Sequence, residues 1–255
     1  MLKNKVVRQI IWCSVFSLVA CTMAVPLVEA EDLPQARKHT FLASDHTRLV
    51  ADIYPAKSAG VHPCVVLLHQ LGKTNADMVP LIAPLLDEGF TVVNLDMRGH
   101  GNSQGRMSVK IPYTKFTNSD WAQLPADLHL VLHNVITIPN VDKQQLALIG
   151  ASIGANASII EAQSSASVKA VVALSPGLDF HGLKPAEALT NSHKPVLIVA
   201  ARDDAYSADS GLKMSKMDKN SSFDLLPKGG HGSQMIAAHP ELPKQIATWL
   251  HKAMH

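Results

Sequence analysis

The stretch Leu146-Ala147-Leu148-Ile149-Gly150-Ala151-Ser152-Ile153-Gly154-Ala155 decides the fold of this chain. A short apolar run leads into the pattern Gly-x-Ser-x-Gly, and small and apolar residues then continue to Ala162 at helical spacing. We predict a strand, a sharp turn and a helix, with Ser152 on a strained backbone in the turn. Gly150 and Gly154 leave the space that this bend needs, because neither carries a side chain.

Apolar strands alternate with helical segments along the rest of the chain. The predicted strands are Cys64–His69, Phe90–Leu95, Leu146–Ile149, Val168–Leu174, Pro195–Ala201 and Ser222–Leu226, and an antiparallel hairpin is expected ahead of them over about residues 37–54. This alternation favours an α/β fold with a mostly parallel central sheet and helices on both faces. Only about 20 residues separate Leu174 from Pro195. We therefore expect a short cap or none.

Further helices and loops are predicted between these strands. The helices are Met78–Glu88, a helix capped by Ser119 or Asp120 that runs to Val135, and a closing helix from Gln234 to about Lys252 with interruptions near Pro240 and Pro243. The segments Gly105–Asn118 and Gly177–His193 are predicted to be loops that cover the site.

The start of the chain has the composition of a secretory signal peptide. Basic residues precede an apolar stretch that runs from Ile10 to about Val25, and small residues lie before Glu31. This order is typical of a leader that is cleaved after Ala30. We predict a leader over residues 1–30 and one α/β domain over residues 31–255, in an exported protein that is periplasmic or secreted.

The tetrapeptide Leu18-Val19-Ala20-Cys21 gives the leader an alternative end. It resembles a bacterial lipobox, in which cleavage before the cysteine leaves a lipid on that residue. This alternative predicts a lipoprotein that is attached to a membrane through Cys21. Cys64 is the only cysteine beyond it, and we expect Cys64 to fill the core.

Composition and charge argue against several classes of function. The chain has 255 residues, of which 47% are hydrophobic and 17% charged, as expected of one globular domain. Lys and Arg total 23 against 21 Asp and Glu, and no basic run with interleaved aromatic residues indicates a nucleic-acid partner. The 13 histidines are scattered and none form an HExxH pair, so the spacing does not indicate a zinc site.

Ser152 becomes a nucleophile only if a base takes its proton, and the base needs a carboxylate to orient it. The acid and the histidine should then follow Ser152 in that order, each in a loop after a late strand. Asp203 and Asp204 follow the strand that ends at Ala201. We favour Asp204 as the acid, with Asp203 as the alternative. His231 follows the last strand among glycines and is the predicted base.

Acyl transfer also needs hydrogen-bond donors for the oxyanion of the tetrahedral intermediate. The main-chain N–H of Ile153, at the start of the helix after the nucleophile, is one candidate. The second donor is expected in the turn His69-Gln70-Leu71-Gly72. Leu71 is the preferred residue there and Gln70 is the alternative.

The residues quoted above resemble the α/β-hydrolase superfamily over essentially the whole predicted domain. The matching segments are Gly150-Ala151-Ser152-Ile153-Gly154, His69-Gln70-Leu71-Gly72, Asp96-Met97-Arg98-Gly99-His100-Gly101-Asn102-Ser103, Asp204 and Gly230-His231-Gly232. Within the superfamily the chain is similar to small capless carboxylesterases and dienelactone-hydrolase-like members. It departs from the pattern in two places. Gln70 stands where a glycine is common, and Ser152 stands where dienelactone hydrolases proper have cysteine.

The resemblance implies a serine hydrolase that cleaves small carboxylic esters through an acyl-enzyme intermediate, without a cofactor. We expect Leu178, Phe180 and Tyr206 to line its substrate pocket, and the segment Asp96–Ser103 to be structural. Other histidines, among them His181, are expected at the surface. The alternatives are a serine exopeptidase of the same fold, which would need acidic residues for a substrate terminus, and a non-catalytic exported binding protein.

Overall fold

The computed structural model describes residues 33–254. The predicted leader and Cys21 lie outside these residues, so cleavage, lipidation and export stay predictions. Among the described residues no helix is both long enough and apolar enough to cross a membrane.

An eight-stranded sheet forms the centre of the fold. Its strands are β1 (Arg37–Leu42), β2 (Arg48–Tyr54), β3 (His62–Leu68), β4 (Thr91–Asp96), β7 (Val141–Ala151), β8 (Val168–Leu174), β9 (Val196–Ala201) and β10 (Ser221–Leu226). They lie in the order β1-β2-β4-β3-β7-β8-β9-β10. β2 pairs antiparallel with β1 and with β4, and every other neighbouring pair in the sheet is parallel. This confirms the predicted mostly parallel sheet. Outside it, β5 (Gly105–Arg106) and β6 (Val109–Lys110) form a short hairpin.

Helices cover both faces of the sheet, and the alternating side chains of its central strand show this directly. The helices are α1 (Ile82–Asp87), α2 (Asn118–Trp121), α3 (Leu124–Val135), α4 (Ile153–Ser164), α5 (Ala186–Ser192), α6 (Ala205–Ser215), α7 (Gln234–Ala238) and α8 (Leu242–Met254). Leu146 and Leu148 of β7 pack in one buried cluster with α3 and α4. Ala147 and Ile149 pack in the other cluster with α1 and α8. Burial on both faces explains why β7 is continuously apolar from Leu146 to Ala151.

Two of the predicted helices differ in the structure, and a proline accounts for one of the differences. The expected helix from Ser119 or Asp120 to Val135 is divided into α2 and α3, because Pro125 lies in the first turn of the new helix. The closing helix is interrupted as predicted, because α7 ends at Ala238 and α8 begins at Leu242, with Pro240 in the break and Pro243 in the first turn of α8. The helix predicted over Met78–Glu88 begins as a 3-10 helix over Asn75–Leu81 and continues as α1.

The parallel strands place the candidate residues at one edge of the sheet. Ser152 follows β7, Asp204 follows β9 and His231 lies in the loop after β10. The turn that contains Gln70 and Leu71 follows β3. Because the carboxyl ends of parallel strands share an edge, residues far apart in sequence meet there.

Candidate active site

Ser152 lies on a strained turn between β7 and α4. Its backbone angles are φ 55° and ψ −117°, a left-handed value of φ that a residue with a side chain seldom adopts. A Cβ placed on Gly150 would lie 2.2 Å from the carbonyl oxygen of Gly154, and one on Gly154 would lie 2.7 Å from the carbonyl oxygen of His69. Both glycines are therefore required by close backbone contacts, as the sequence predicted.

Ser152, His231 and Asp204 form a continuous hydrogen-bonded row. The Ser152 Oγ lies 2.7 Å from His231 Nε2, and His231 Nδ1 lies 2.7 Å from Asp204 Oδ2. The side chains of His231 and Asp204 are 34% and 12% exposed, whereas Ser152 is buried. With a proton on Nδ1, the imidazole donates to Asp204 and its Nε2 accepts from the Ser152 hydroxyl.

Asp203 has a different set of partners from its neighbour. Its carboxylate accepts hydrogen bonds from the main-chain N–H groups of Gly229 and Gly230, at 3.0 and 3.1 Å. These bonds stabilise the charged form and lower the pKa of the Asp203 carboxyl. The structure thus brings Asp204 to His231, and it uses Asp203 to hold the glycine loop that carries His231.

Two main-chain N–H groups are available beside Ser152. Among the described residues, neither Leu71 N–H nor Ile153 N–H has a hydrogen-bond acceptor. Ile153 is the first residue of α4, so the positive end of the helix dipole lies at this point. The main-chain N–H of Gln70, the alternative donor, is equally without an acceptor there.

Two neutral histidines fix the turn that contains Leu71. His69 Nδ1 donates to the carbonyl oxygen of Gln70 at 2.8 Å, and His69 Nε2 accepts from Met97 N–H at 3.0 Å. His100 Nε2 accepts from Gly72 N–H at 3.1 Å. Both rings must be neutral to accept these bonds, and burial lowers the pKa of His69 to about 4 and that of His100 in the same direction.

Acid should therefore destabilise the fold through His69. Between its ordinary pKa of 6.5 and the folded value of about 4, the unfolded chain binds a proton that the folded chain does not. The free energy of unfolding thus falls as the pH drops through this window, by about 3 kcal/mol from this residue. Urea unfolding at pH 7 and pH 4.5 measures the loss, and His69→Gln, which does not titrate, should lose less. Equal losses in the two proteins would contradict the assignment.

A cavity of about 300 Å³ opens over Ser152. It is lined by Gln70, Leu71, Ser152, Ile153, Phe180, His181 and His231. Of the three residues predicted to line a substrate pocket, Phe180 is present, and its ring centroid lies 6.0 Å from that of His231. Leu178 and Tyr206 are not among the lining residues. Tyr206 instead packs behind Phe180, and its hydroxyl bonds to the main chain of Asp179.

A larger cavity of about 720 Å³ lies between α2, α4 and α5. It does not include Ser152, Asp204 or His231, and it shares only His181 with the cavity over Ser152. We place the candidate site at the smaller cavity because Ser152 and His231 line it. Among the described residues no group of histidine, cysteine and carboxylate side chains could hold a metal ion.

The sequence matches the family described as serine aminopeptidase, S33, over residues 60–222. The match spans more than half of the chain. The chain belongs to this family. It is an enzyme, a hydrolase of the α/β-hydrolase fold. Comparison with curated proteins gives no sequence match.

Solved structures of other hydrolases have the same fold. Esterase Pf2001 from Pyrococcus furiosus superposes with a TM-score of 0.72 at 18% identity, over 91% of this chain and 96% of that one. Est1E from Butyrivibrio proteoclasticus, solved with ferulic acid, gives 0.68 at 18% identity over 83% and 99% of the two chains. The 2,6-dihydroxy-pseudo-oxynicotine hydrolase gives 0.70 at 15% identity over 86% and 68%. At these identities the likeness establishes the shared fold.

Two side chains at the cavity of this hydrolase were not foreseen from the sequence. The side chain of Gln70 lines it, although Gln70 was considered only for its main-chain N–H. His181 was expected at the surface; it is exposed, but it also lines the cavity and stacks on Trp121 with ring centroids 4.2 Å apart. Gly182 was the available signal, because a glycine readily adopts the positive φ that a tight hairpin turn requires. His181 and Gly182 do have positive φ, 51° and 86°.

Proposed function

We propose that this hydrolase cleaves small carboxylic esters, with Ser152 as nucleophile, His231 as base and Asp204 as the acid that orients His231. The observation that carries the proposal is the row of two 2.7 Å hydrogen bonds that joins them. In the first step Ser152 Oγ attacks the ester carbonyl while its proton moves to His231 Nε2. His231 then gives that proton to the departing alcohol, and an acyl-enzyme remains.

Water completes the cycle by the reverse sequence. His231 Nε2 takes a proton from the water as its oxygen attacks the acyl carbon, and the proton passes to Ser152 Oγ as the acid product leaves. In both halves the carbonyl oxygen becomes an oxyanion, for which the N–H groups of Ile153 and Leu71 are the proposed donors. Asp204 stabilises the imidazolium that forms each time.

The name of the matching family raises the alternative of an aminopeptidase. Such an enzyme binds the protonated amino terminus of a peptide, and a buried cation needs a carboxylate partner. None of the residues that line the cavity over Ser152 is an aspartate or a glutamate. The esterases among the solved structures of this fold point the same way. The cavity chemistry therefore favours esters.

Parallel assays decide between the two substrates. We expect turnover of p-nitrophenyl butyrate and none of leucine p-nitroanilide above the level of a Ser152→Ala control. Preference for the anilide would replace the ester proposal with the peptidase. Turnover of neither, together with no labelling by a fluorophosphonate, would favour the non-catalytic alternative.

Asp204 and Asp203 form a matched pair for testing the role of the acid. Asp204→Asn should lower kcat on the order of 10⁴-fold, because an amide facing Nδ1 favours the wrong tautomer of His231. Asp203→Asn keeps an oxygen for the glycine N–H groups, so its loss should stay below about tenfold. Steady-state kinetics on p-nitrophenyl butyrate measure both. Similar losses in the two variants would remove Asp204 from its proposed role.

A further inference from the structure

The side chain of Gln70 joins the turn after β3 to the loop that carries His231. Its Oε1 accepts from the main-chain N–H of Ser233 at 2.7 Å and from the Ser233 hydroxyl at 3.1 Å. Gly232 passes so close that a Cβ on it would lie 2.1 Å from Gln70 Oε1. The main-chain N–H can only donate, so the atom that faces it must be the oxygen of the amide. The orientation of the Gln70 amide is thereby fixed.

The nitrogen of this amide has no hydrogen-bond partner among residues 33–254. Gln70 is 7% exposed, yet no hydrogen bond from its Nε2 to any described residue is present. Only Asn94 Oδ1 and Gln145 Oε1 are side-chain polar atoms of the described residues that are both fully buried and unbonded. The Gln70 nitrogen therefore keeps some accessible surface. Gln70 is among the residues that line the cavity over Ser152, and we assign this surface of its nitrogen to that cavity.

An amide donor held in this way favours ligands that carry a hydrogen-bond acceptor. Two hydrogen bonds to its oxygen hold the group, so little conformational entropy is lost when the nitrogen binds a ligand. When no ligand is bound, the nitrogen can form its hydrogen bond with water. An apolar group that displaced the water would leave the nitrogen unsatisfied, at the cost of a lost hydrogen bond. The cavity therefore favours a ligand with an acceptor at this position.

We propose that Gln70 Nε2 donates a hydrogen bond to the substrate, and that the preferred esters carry an oxygen acceptor on the carbon next to the reacting carbonyl, as 2-alkoxyacyl and 2-hydroxyacyl esters do. The position follows from the chain. Gln70 directly precedes Leu71, the proposed oxyanion donor, and both residues line the cavity over Ser152, so we assign the Gln70 nitrogen to atoms close to the carbonyl. The acyl part of the ester stays in the cavity during acylation and deacylation. An oxygen acceptor on it therefore receives the Gln70 hydrogen bond in both steps.

This inference rests on the proposed esterase function and is tested by a pair of matched substrates. p-Nitrophenyl methoxyacetate and p-nitrophenyl butyrate differ only in the exchange of one CH2 for an ether oxygen. The ratio of their kcat/KM values is measured in the wild type and in each variant. Comparing these ratios between proteins cancels the different intrinsic reactivity of the two esters.

Gln70→Glu removes the donor and keeps the link to Ser233, because a carboxylate oxygen accepts the same two hydrogen bonds. We expect the ratio of methoxyacetate to butyrate to fall by about three- to tenfold, the loss of one neutral hydrogen bond. Gln70→Gly, which restores the residue common in the family, should lower the ratio to a similar extent even though it also breaks the link. Thermal unfolding of both variants checks that they are folded.

Ser233→Ala is the control for the link alone. It removes one of the two bonds to Gln70 Oε1 and leaves the amide nitrogen in place, so the ratio should stay within about twofold of the wild type. An unchanged ratio in both Gln70 variants would overturn the inference while leaving the esterase function intact. If the wild type hydrolyses neither ester, the proposed function fails and the inference fails with it.

Discussion

Ser152→Ala should lower ester turnover on the order of 10⁵- to 10⁶-fold and leave the fold intact, because the remaining groups have no nucleophile to act on. The backbone at Ser152 is strained independently of its hydroxyl, and the glycines around it keep the turn in place. We therefore expect the thermal unfolding midpoint to change little. Steady-state kinetics and labelling with a fluorophosphonate probe measure the activity.

The labelling experiment has two informative companions. His231→Ala should also abolish labelling, because the Ser152 hydroxyl then loses the base 2.7 Å away. Ser164 lies at the end of α4, is exposed and bonds only to its own helix, so Ser164→Ala should label like the wild type. Labelling that survives in folded Ser152→Ala would mean that another residue is the nucleophile.

Arg98→Met should destabilise the protein by about 3–5 kcal/mol, the cost of leaving a buried carboxylate without its partner. Arg98 is 2% exposed and donates to both oxygens of Asp127, each at 2.6 Å, and to Asp45 at 2.6 Å. Asp127 is 5% exposed, and its carboxylate has no other hydrogen-bond partner among the described residues. Burial raises the pKa of the Asp127 carboxyl, whereas the hydrogen bonds and the charge of Arg98 act in the opposite direction. The charged form of Asp127 therefore depends on Arg98.

Urea unfolding at pH 7 tests this prediction against a matched arginine. Arg106 also pairs with Asp45, at 3.0 Å, but its side chain is 29% exposed, and Arg106→Met should cost about 1 kcal/mol or less. The double variant Arg98→Met, Asp127→Leu should recover much of the loss, because it buries no unpaired charge. If Arg98→Met and Arg106→Met lost equal amounts of unfolding free energy, burial of the Arg98–Asp127 pair would not be what makes Arg98→Met destabilising.

Arg98 also explains the structural role predicted for the segment Asp96–Ser103. Its guanidinium joins this segment to the turn between β1 and β2 through Asp45 and Thr47, and to α3 through Asp127. The Asp96 carboxylate accepts from the main-chain N–H groups of Asn75 and Asn102. These contacts hold the loop that carries His100. The His100 ring in turn accepts the hydrogen bond that fixes the turn containing Leu71. The segment therefore supports the site without facing the cavity over Ser152.

The sequence alone determined the features that local chemistry controls. The turn at Ser152 was predictable because the apolar strand, the two glycines and the small residues of α4 are neighbours in sequence and each has a direct steric or packing reason. The parallel sheet followed from the alternation of strands and helices. The order of Ser152, an acidic residue and His231 placed all three at one sheet edge, because each follows a parallel strand.

The tertiary structure alone decided between residues whose local signals are alike. Asp203 and Asp204 are adjacent and have the same chemistry, and only the packing of the loop after β10 directs one to His231 and the other to Gly229 and Gly230. The side chain of Gln70 reaches Ser233, which lies 163 positions later in the chain. No pattern near Gln70 encodes that contact, because it arises only when the sheet brings the two loops together.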